Sequence, residues 1–194
     1  MSLENNELHV ILTTLFAAGL ICFLGFTWAV KAHFRRTGRM PLGMKVISTL
    51  TVIGFGWYAV RLFAGAPSRL WMAGIGCFLL AMAVFTWAVR YTRKSPPTLA
   101  YDTDEPSFLF HHGPYQYVRH PFYLSYMLFW TGTAFATPGL LPWIVPMLML
   151  AVYSNAARRE EQKFAHSGLA NAYRDYRSKV GMFLPNFGFH LTTH

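Results

Sequence analysis

Long runs without charged residues divide the chain into alternating apolar and polar segments. Four runs contain no Asp, Glu, Lys or Arg: residues 10–30, 46–60, 70–89 and 121–157. About 20 apolar residues in a helix cross the ~30 Å hydrocarbon layer of a bilayer, so the first and third runs each predict one transmembrane helix. The second run reaches spanning length if Lys45 and Arg61 extend their charged ends to the two interfaces.

The fourth run predicts a helical hairpin. As one helix it would extend about 55 Å, which is too long for a single crossing. Thr137, Pro138, Gly139 and Pro142 lie near its middle, where they favour the end of a helix and a tight turn. The pattern therefore predicts an all-α membrane bundle of five transmembrane helices, near residues 8–31, 43–63, 69–90, 121–136 and 140–157.

The positions of the basic residues predict how this bundle is oriented. With five spans, fifteen of the 17 Lys and Arg residues fall on one side of the membrane, and Arg61 and Arg69 fall on the other. The positive-inside rule then places the N-terminus outside and the C-terminus in the cytoplasm. We expect a single membrane domain over residues 1–194. It comprises three N-terminal helices within 1–90 and a catalytic part, 91–194, that contains the hairpin 121–157 and a cytoplasmic tail.

Composition agrees with an integral membrane protein. Hydrophobic residues make up 54% of the chain and charged residues 13%, whereas soluble domains carry roughly 25% charged residues. The net charge of +9 could suggest nucleic-acid binding, but the basic residues lie at the ends of the predicted spans and form no separate patch. We therefore expect the lipid bilayer as a partner and no nucleic acid; the sequence leaves the oligomeric state open.

Two polar clusters flank the hairpin and carry the candidate chemistry. The first comprises His111, His112, Tyr115, Arg119, His120 and Tyr123, and the second comprises Arg158, Glu160 and Glu161. Because the two feet of a hairpin lie on the same side of the membrane, we expect the clusters to meet at the cytoplasmic face. Carboxylates at a membrane boundary are costly unless paired, so Glu160 and Glu161 require cations, hydrogen-bond donors or a cationic ligand.

The tail predicts a short amphipathic helix starting after Gly168, with an apolar face that requires a partner or a bilayer surface. That face is formed by Leu169, Ala172, Tyr173, Tyr176 and Val180. We expect this helix and the cytoplasmic loop to meet and to enclose a pocket on the cytoplasmic side.

Simpler interpretations compete with a catalytic site. The arginines could anchor the interface and the tyrosines could belong to an aromatic belt. The histidines and glutamates could bind a metal, but their spacing matches no metal motif, and we predict none. Gly74-Ile75-Gly76 lies inside a predicted span with no strand before it, so it indicates helix packing rather than dinucleotide binding.

At these residues the chain resembles a known family. The elements are Gly113-Pro114-Tyr115, then Arg119-His120-Pro121-Phe122-Tyr123, then Glu160-Glu161, followed by Tyr173, Tyr176, Val180 and Pro185. They resemble the integral-membrane methyltransferases of the isoprenylcysteine carboxyl methyltransferase and phospholipid methyltransferase group. The resemblance covers roughly residues 105–187. Membrane sterol reductases carry a similar C-terminal pattern, so an NADPH-dependent membrane reductase is the alternative, and a scaffold without enzymatic activity is a third hypothesis.

The resemblance implies a pocket for S-adenosylmethionine that opens to the cytoplasm and receives a lipophilic or prenylated acceptor from the bilayer. The cofactor-binding residues that it implies are Leu109, Phe110, His111, His112, Tyr115, His120, Pro121, Tyr123 and Glu161. It implies catalytic roles for Arg119, Arg158 and Glu160, with one of the arginines binding the acceptor. The arginine that usually binds the acceptor in this family falls about one turn before the glutamates, where this chain has Ala156.

Overall fold

A computed structural model describes residues 2–35, 38–98, 101, 106 and 108–186, with side chains from residue 5 onward. These residues form helices and contain no strand, which confirms the all-α prediction. The α-helices are α1 (Ser2–Trp28), α2 (Leu42–Phe63), α3 (Trp71–Thr92), α4 (Pro121–Ala136), α5 (Ile144–Ala165) and α6 (Ala170–Lys179). A π-helical turn, Ala29–His33, follows α1, and 3-10 turns cover Gly113–Gln116 and Leu141–Trp143.

Three helices are long and apolar enough to cross a membrane. They cover Asn5–His33, Leu42–Phe63 and Trp71–Thr92, which correspond to the first three predicted spans. Each carries exposed apolar side chains, such as Ile21, Val52 and Leu79, as expected for helices that face lipid. Crossing of the membrane by α4 and α5 stays a prediction.

The predicted hairpin is present, but α5 differs from the predicted segment at both ends. Helix α4 ends at Ala136, and the turn that follows contains Gly139 with φ +91°, a conformation that favours glycine. A 3-10 turn containing Pro142 precedes α5, which therefore begins at Ile144 instead of 140. Helix α5 also continues about two turns beyond residue 157. The charged residues after 157 end the apolar run without ending the helix.

Close packing between α3 and α4 joins the hairpin to the N-terminal helices. A Cβ atom added at Gly74 would lie 3.0 Å from the Gly132 carbonyl oxygen, so the two backbones are nearly in contact. Gly76 has no neighbour within 4 Å of an added Cβ among the described residues. The predicted packing role of the Gly-x-Gly segment therefore applies to Gly74 and was wrong for Gly76.

Helix α6 is the predicted amphipathic helix, and it docks on the segment that precedes α4. Tyr173 and Tyr176 are buried, and the Tyr176 hydroxyl donates a hydrogen bond of 2.6 Å to the Tyr115 carbonyl oxygen. Beyond α6, the Arg119 amide donates to the Gly181 carbonyl at 2.9 Å. The C-terminal segment thus fixes the backbone that carries the first polar cluster.

Candidate functional site

A cavity of about 190 Å³ lies where the two polar clusters meet. Arg119, His120 and Glu160 line its polar end. Val30, from the π-helical turn after α1, lines an apolar end together with Met44 and Ile47 from α2. The remaining walls are formed mainly by aromatic side chains and prolines: Phe34, Pro96, Pro97, Phe108, Phe110, Tyr115, Phe122, Tyr123, Tyr126, Tyr153, Phe164, Tyr173 and Tyr176. One continuous space therefore joins charged groups to the ends of two membrane-compatible helices.

Glu161 is the centre of a buried ion-pair network. Its side chain is 5% exposed, and one carboxylate oxygen, Oε1, accepts hydrogen bonds from Arg119 Nε at 2.9 Å and His120 Nε2 at 3.1 Å. Arg177 Nε lies 3.7 Å from the other oxygen. Burial alone would raise the pKa of Glu161, but the hydrogen bonds and positive charges of His120 and Arg119 lower it to about 2. Glu161 is therefore ionised and acts as the partner that holds Arg119 and His120.

Arg119 links this network to the C-terminal segment. In addition to Glu161, its guanidinium donates to the Val180 carbonyl oxygen through Nη1. Arg119 is thus bonded on both sides, by a carboxylate and by a backbone carbonyl. Its donors are largely occupied by the protein itself, and its role is to hold α6 and α5 together.

Glu160 has different surroundings from its neighbour. Its side chain is 30% exposed and lines the cavity. The Tyr123 hydroxyl donates a hydrogen bond of 2.5 Å to Oε1, and His120 Nδ1 lies 3.6 Å from Oε2. Burial raises the pKa of Glu160, and His120 and Tyr123 offset this rise in part. The cavity therefore contains a carboxylate whose negative charge is poorly solvated, which favours a cationic ligand.

Aromatic rings surround this carboxylate. The Phe110 and Tyr115 rings stack with centroids 5.0 Å apart, and Phe164 stacks on Tyr173 at 4.7 Å. Burial raises the pKa of Tyr115 well above its usual range, so this phenol stays neutral. Neutral aromatic faces beside a carboxylate stabilise positively charged groups.

The structure brings most of the predicted site residues to the cavity. Those that line it are Leu109, Phe110, Tyr115, Arg119, His120, Pro121, Tyr123 and Glu160. Glu161 does not line the cavity, because its side chain is buried against Arg119 and His120. The side chains of His111, His112 and Arg158 are exposed and do not line the cavity. No cluster of three His, Cys, Asp or Glu side chains suited to a metal ion occurs in the described ranges.

Sequence reasoning missed the residues at the apolar end. Val30, Phe34 and Arg35 line the cavity from the π-helical turn and the residues after it, and Met44 and Ile47 line it from α2. The apolar spacing within these helices does not distinguish a cavity-lining residue from a lipid-facing one. By contrast, the sequence did indicate Tyr173 and Tyr176, as the apolar face of a helix that required a partner, and both line the cavity.

Comparison with known protein families gives one match. Residues 69–172, more than half of the 194-residue chain, match the family described as phospholipid methyltransferase. The matched region begins just before α3 and ends within α6, so it contains both polar clusters. No curated protein and no solved structure matches the chain significantly.

Proposed function

Because the chain belongs to the phospholipid methyltransferase family, we propose that it transfers a methyl group from S-adenosylmethionine to a lipophilic acceptor at the cytoplasmic membrane face. The observation that carries the proposal is the single cavity in which Glu160 faces aromatic rings at one end and apolar side chains at the other. A methyl donor that is polar and cationic must bind next to an acceptor that is apolar, and a cavity with these two ends offers a surface for each.

The polar end fits the chemistry of S-adenosylmethionine. When bound, this cofactor supplies an electrophilic methyl group on a positively charged sulfur, and it also carries an ammonium group. Glu160 is suited to bind a cation, because its carboxylate lines the cavity and its pKa stays raised by burial even with His120, Tyr123 and Lys163 nearby. Tyr115 and Phe110 supply aromatic faces for a sulfonium or a flat base.

In this proposal Arg119, His120 and Glu161 are positioning residues. Their hydrogen bonds hold His120 beside Glu160 and fix the backbone that begins α4. Methyl transfer from a sulfonium is a direct displacement, so the protein contributes chiefly by aligning the two reactants and excluding water. The aromatic walls and Pro121 exclude water, and a carboxylate acceptor would require no general base.

The proposed arrangement in the membrane completes the function. We propose that α4 and α5 also cross the bilayer, which gives five spans with the N-terminus outside. The polar end of the cavity then opens to the cytoplasm, and its apolar end lies between α1 and α2, where a lipid can enter. Residues 91–194 form the catalytic part of one membrane domain in this arrangement.

Ligand-induced thermal stabilisation of the purified full chain in detergent tests the proposal. S-adenosylmethionine and its demethylated product should raise the melting temperature, and NADPH should not. Glu160→Gln should weaken S-adenosylmethionine binding at least tenfold, because it removes about 1.4 kcal/mol or more of charge attraction.

Asp175→Asn is the matched control, since Asp175 is an exposed carboxylate outside the cavity, and it should bind like wild type. Equal affinity in the Glu160 variant and wild type would contradict the site assignment. Stabilisation by NADPH alone would contradict the methyltransferase proposal and favour the reductase alternative.

A further inference from the structure

Two cationic side chains that line the cavity, Arg35 and Lys163, have no role in the site described above. Arg119 and His120 also line the cavity. Arg119 and His120 are bonded to Glu161, and Lys163 also has an interaction partner. Among the described residues, nothing forms a hydrogen bond or ion pair with the Arg35 guanidinium.

The backbone around Arg35 is held in place. The Phe34 amide donates to the Ala29 carbonyl at 3.0 Å, which closes the π-helical turn, and the Arg35 amide donates to the Pro97 carbonyl at 3.0 Å. Arg35 also forms an isolated parallel bridge with Thr98. Turns of the π type often mark functional sites. The turn directs Val30 and Phe34 into the same cavity as Arg35, so the cation lies beside an apolar surface.

On the opposite wall of the cavity, α5 contributes Lys163, which already has an interaction partner, and none of its arginines. Ala156, about one turn before Glu160, is buried and carries no charge. Arg159 donates to Asn155 on its own helix at 3.0 Å and lies over the Tyr101 ring. Arg158 is exposed and outside the cavity. Among the described arginines, Arg35 is therefore the one that lines the cavity without a hydrogen bond or ion pair to its guanidinium.

We propose that Arg35 is the residue that binds the acceptor, by pairing with the phosphate oxyanion of a glycerolipid headgroup. A guanidinium matches two phosphate oxygens in a bidentate arrangement. The acyl chains would lie against Val30, Met44 and Ile47, between two membrane-compatible helices. Arg35 lies outside the family match at 69–172. In this proposal, recognition of the lipid phosphate therefore depends on the N-terminal part of the chain. The role in methyl transfer rests on the proposed function, whereas the binding of the lipid does not.

The test compares two lipids that differ in the phosphate. The full chain is purified in dodecyl maltoside, and retention of dioleoyl phosphatidic acid and of dioleoylglycerol is measured by native mass spectrometry. Wild type should retain phosphatidic acid preferentially, and Arg35→Gln should lower that preference about tenfold. Arg35→Lys, which keeps the charge but loses the planar fork, should fall in between. Inorganic phosphate should not displace the lipid; displacement would indicate a site for free phosphate and overturn the proposal.

Arg39→Gln is the matched control, because Arg39 is an exposed cation of the same loop that does not line the cavity. It should retain phosphatidic acid like wild type. Equal losses in the Arg35 and Arg39 variants would show general attraction to a basic surface and would overturn the proposal. The melting temperature of each variant verifies folding.

Stabilisation by S-adenosylmethionine, measured in the same samples, separates the two proposals. It should be unchanged in Arg35→Gln. If S-adenosylmethionine does not stabilise wild type while lipid retention still depends on Arg35, the methyltransferase proposal is contradicted and the lipid site is supported. If S-adenosylmethionine stabilises wild type but lipid retention does not depend on Arg35, the methyltransferase proposal stands and the proposed role of Arg35 is overturned.

Discussion

Glu160 and Glu161 are adjacent in sequence, yet their carboxylates have different surroundings and pKa shifts of opposite direction. Adjacent residues on a helix project about 100° apart, so one carboxylate faces the cavity and the other faces Arg119 and His120. The pKa of Glu161 is lowered to about 2, and that of Glu160 is raised. A lowered carboxyl pKa means that ionisation stabilises the fold, and a raised pKa means that ionisation destabilises it.

Neutralising the two glutamates should therefore have opposite effects on stability at neutral pH without ligand. Glu161→Gln should lower the free energy of unfolding by about 3 kcal/mol, because Arg119 and His120 lose the charge that compensates their burial. Glu160→Gln should raise the melting temperature, since it removes a poorly solvated charge while the amide oxygen still accepts from Tyr123. Scanning calorimetry in detergent measures both, and a stabilised Glu161 variant would contradict this account.

The pH dependence of stability should identify Glu161 specifically. Its stabilising effect is fully present above its ordinary pKa of 4.5 and is lost as pH falls towards about 2. The difference in melting temperature between wild type and Glu161→Gln should thus stay constant from pH 7 to about 5 and shrink below that. A melting-temperature series over this range checks the prediction. A difference that grows on acidification would contradict it.

At the scale of secondary-structure elements, the contacts between helices explain how the cavity keeps its shape. Helix α3 lies against α4 at Gly74 and Gly132. It also contacts the end of α1, where His33 Nε2 lies 2.8 Å from Thr92 Oγ1 in a buried hydrogen bond. Thr92 Oγ1 also lies 2.8 Å from the Ala88 carbonyl oxygen of its own helix, so this buried hydroxyl contacts both α3 and His33. Helix α3 thereby positions both the hairpin and the π-helical turn.

Substitution of Gly74 tests the first contact. Gly74→Ala places a methyl group 3.0 Å from a backbone oxygen that is part of a helix and cannot move aside alone. We expect a destabilisation of about 1–3 kcal/mol from this overpacking. Gly76→Ala, two residues away with open space around it, should be neutral or slightly stabilising. Melting temperatures of the two variants in the same detergent distinguish a packing effect from a general effect on the helix.

Substitution of Thr92 tests the second contact. Thr92→Val keeps the shape of the side chain but leaves the buried His33 Nε2 without its hydrogen-bond partner, which should cost about 1–3 kcal/mol. Amide hydrogen exchange in residues 29–35 should increase, because the π-helical turn loses its tie to α3. Thr86→Val is the control, since Thr86 forms the same type of intrahelical bond, 2.7 Å to the Met82 carbonyl, on the exposed face. Equal exchange in the two variants would contradict the proposed tie.

At the scale of the whole molecule, the proposed orientation makes opposite predictions for two exposed positions. Leu140 lies at the tip of the hairpin, and Ser178 lies on α6. In intact cells a membrane-impermeant maleimide should label Leu140→Cys and should not label Ser178→Cys until the membrane is opened. Cys22 is buried, and Cys77 lies within a membrane-compatible helix, so both should stay unreactive. Labelling of both introduced cysteines in intact cells would contradict the five-span arrangement.

The features that could be predicted from the sequence are those that depend on the local pattern of apolar and charged residues. Apolar runs located the first three helices and the hairpin, and the hairpin in turn predicted that Arg119 and His120 would meet Glu160 and Glu161. The separate surroundings of the two glutamates could not be predicted, because they depend on the rotation of α5 about its axis. Nor could the contribution of Arg35, because it depends on a π-helical turn that no residue pattern signals and on a backbone bond to distant Pro97.

The two ends of the cavity have a consequence for how the rate would be measured. In the proposed arrangement one reactant is dissolved in water and the other is dissolved in the bilayer. The amount of acceptor available to the apolar end is then its mole fraction in the membrane, not its concentration in the whole sample. Dilution of the acceptor with an inert lipid should slow the reaction, whereas dilution of the vesicles at fixed lipid composition should not. The helices that form the apolar end thus determine which measure of concentration applies.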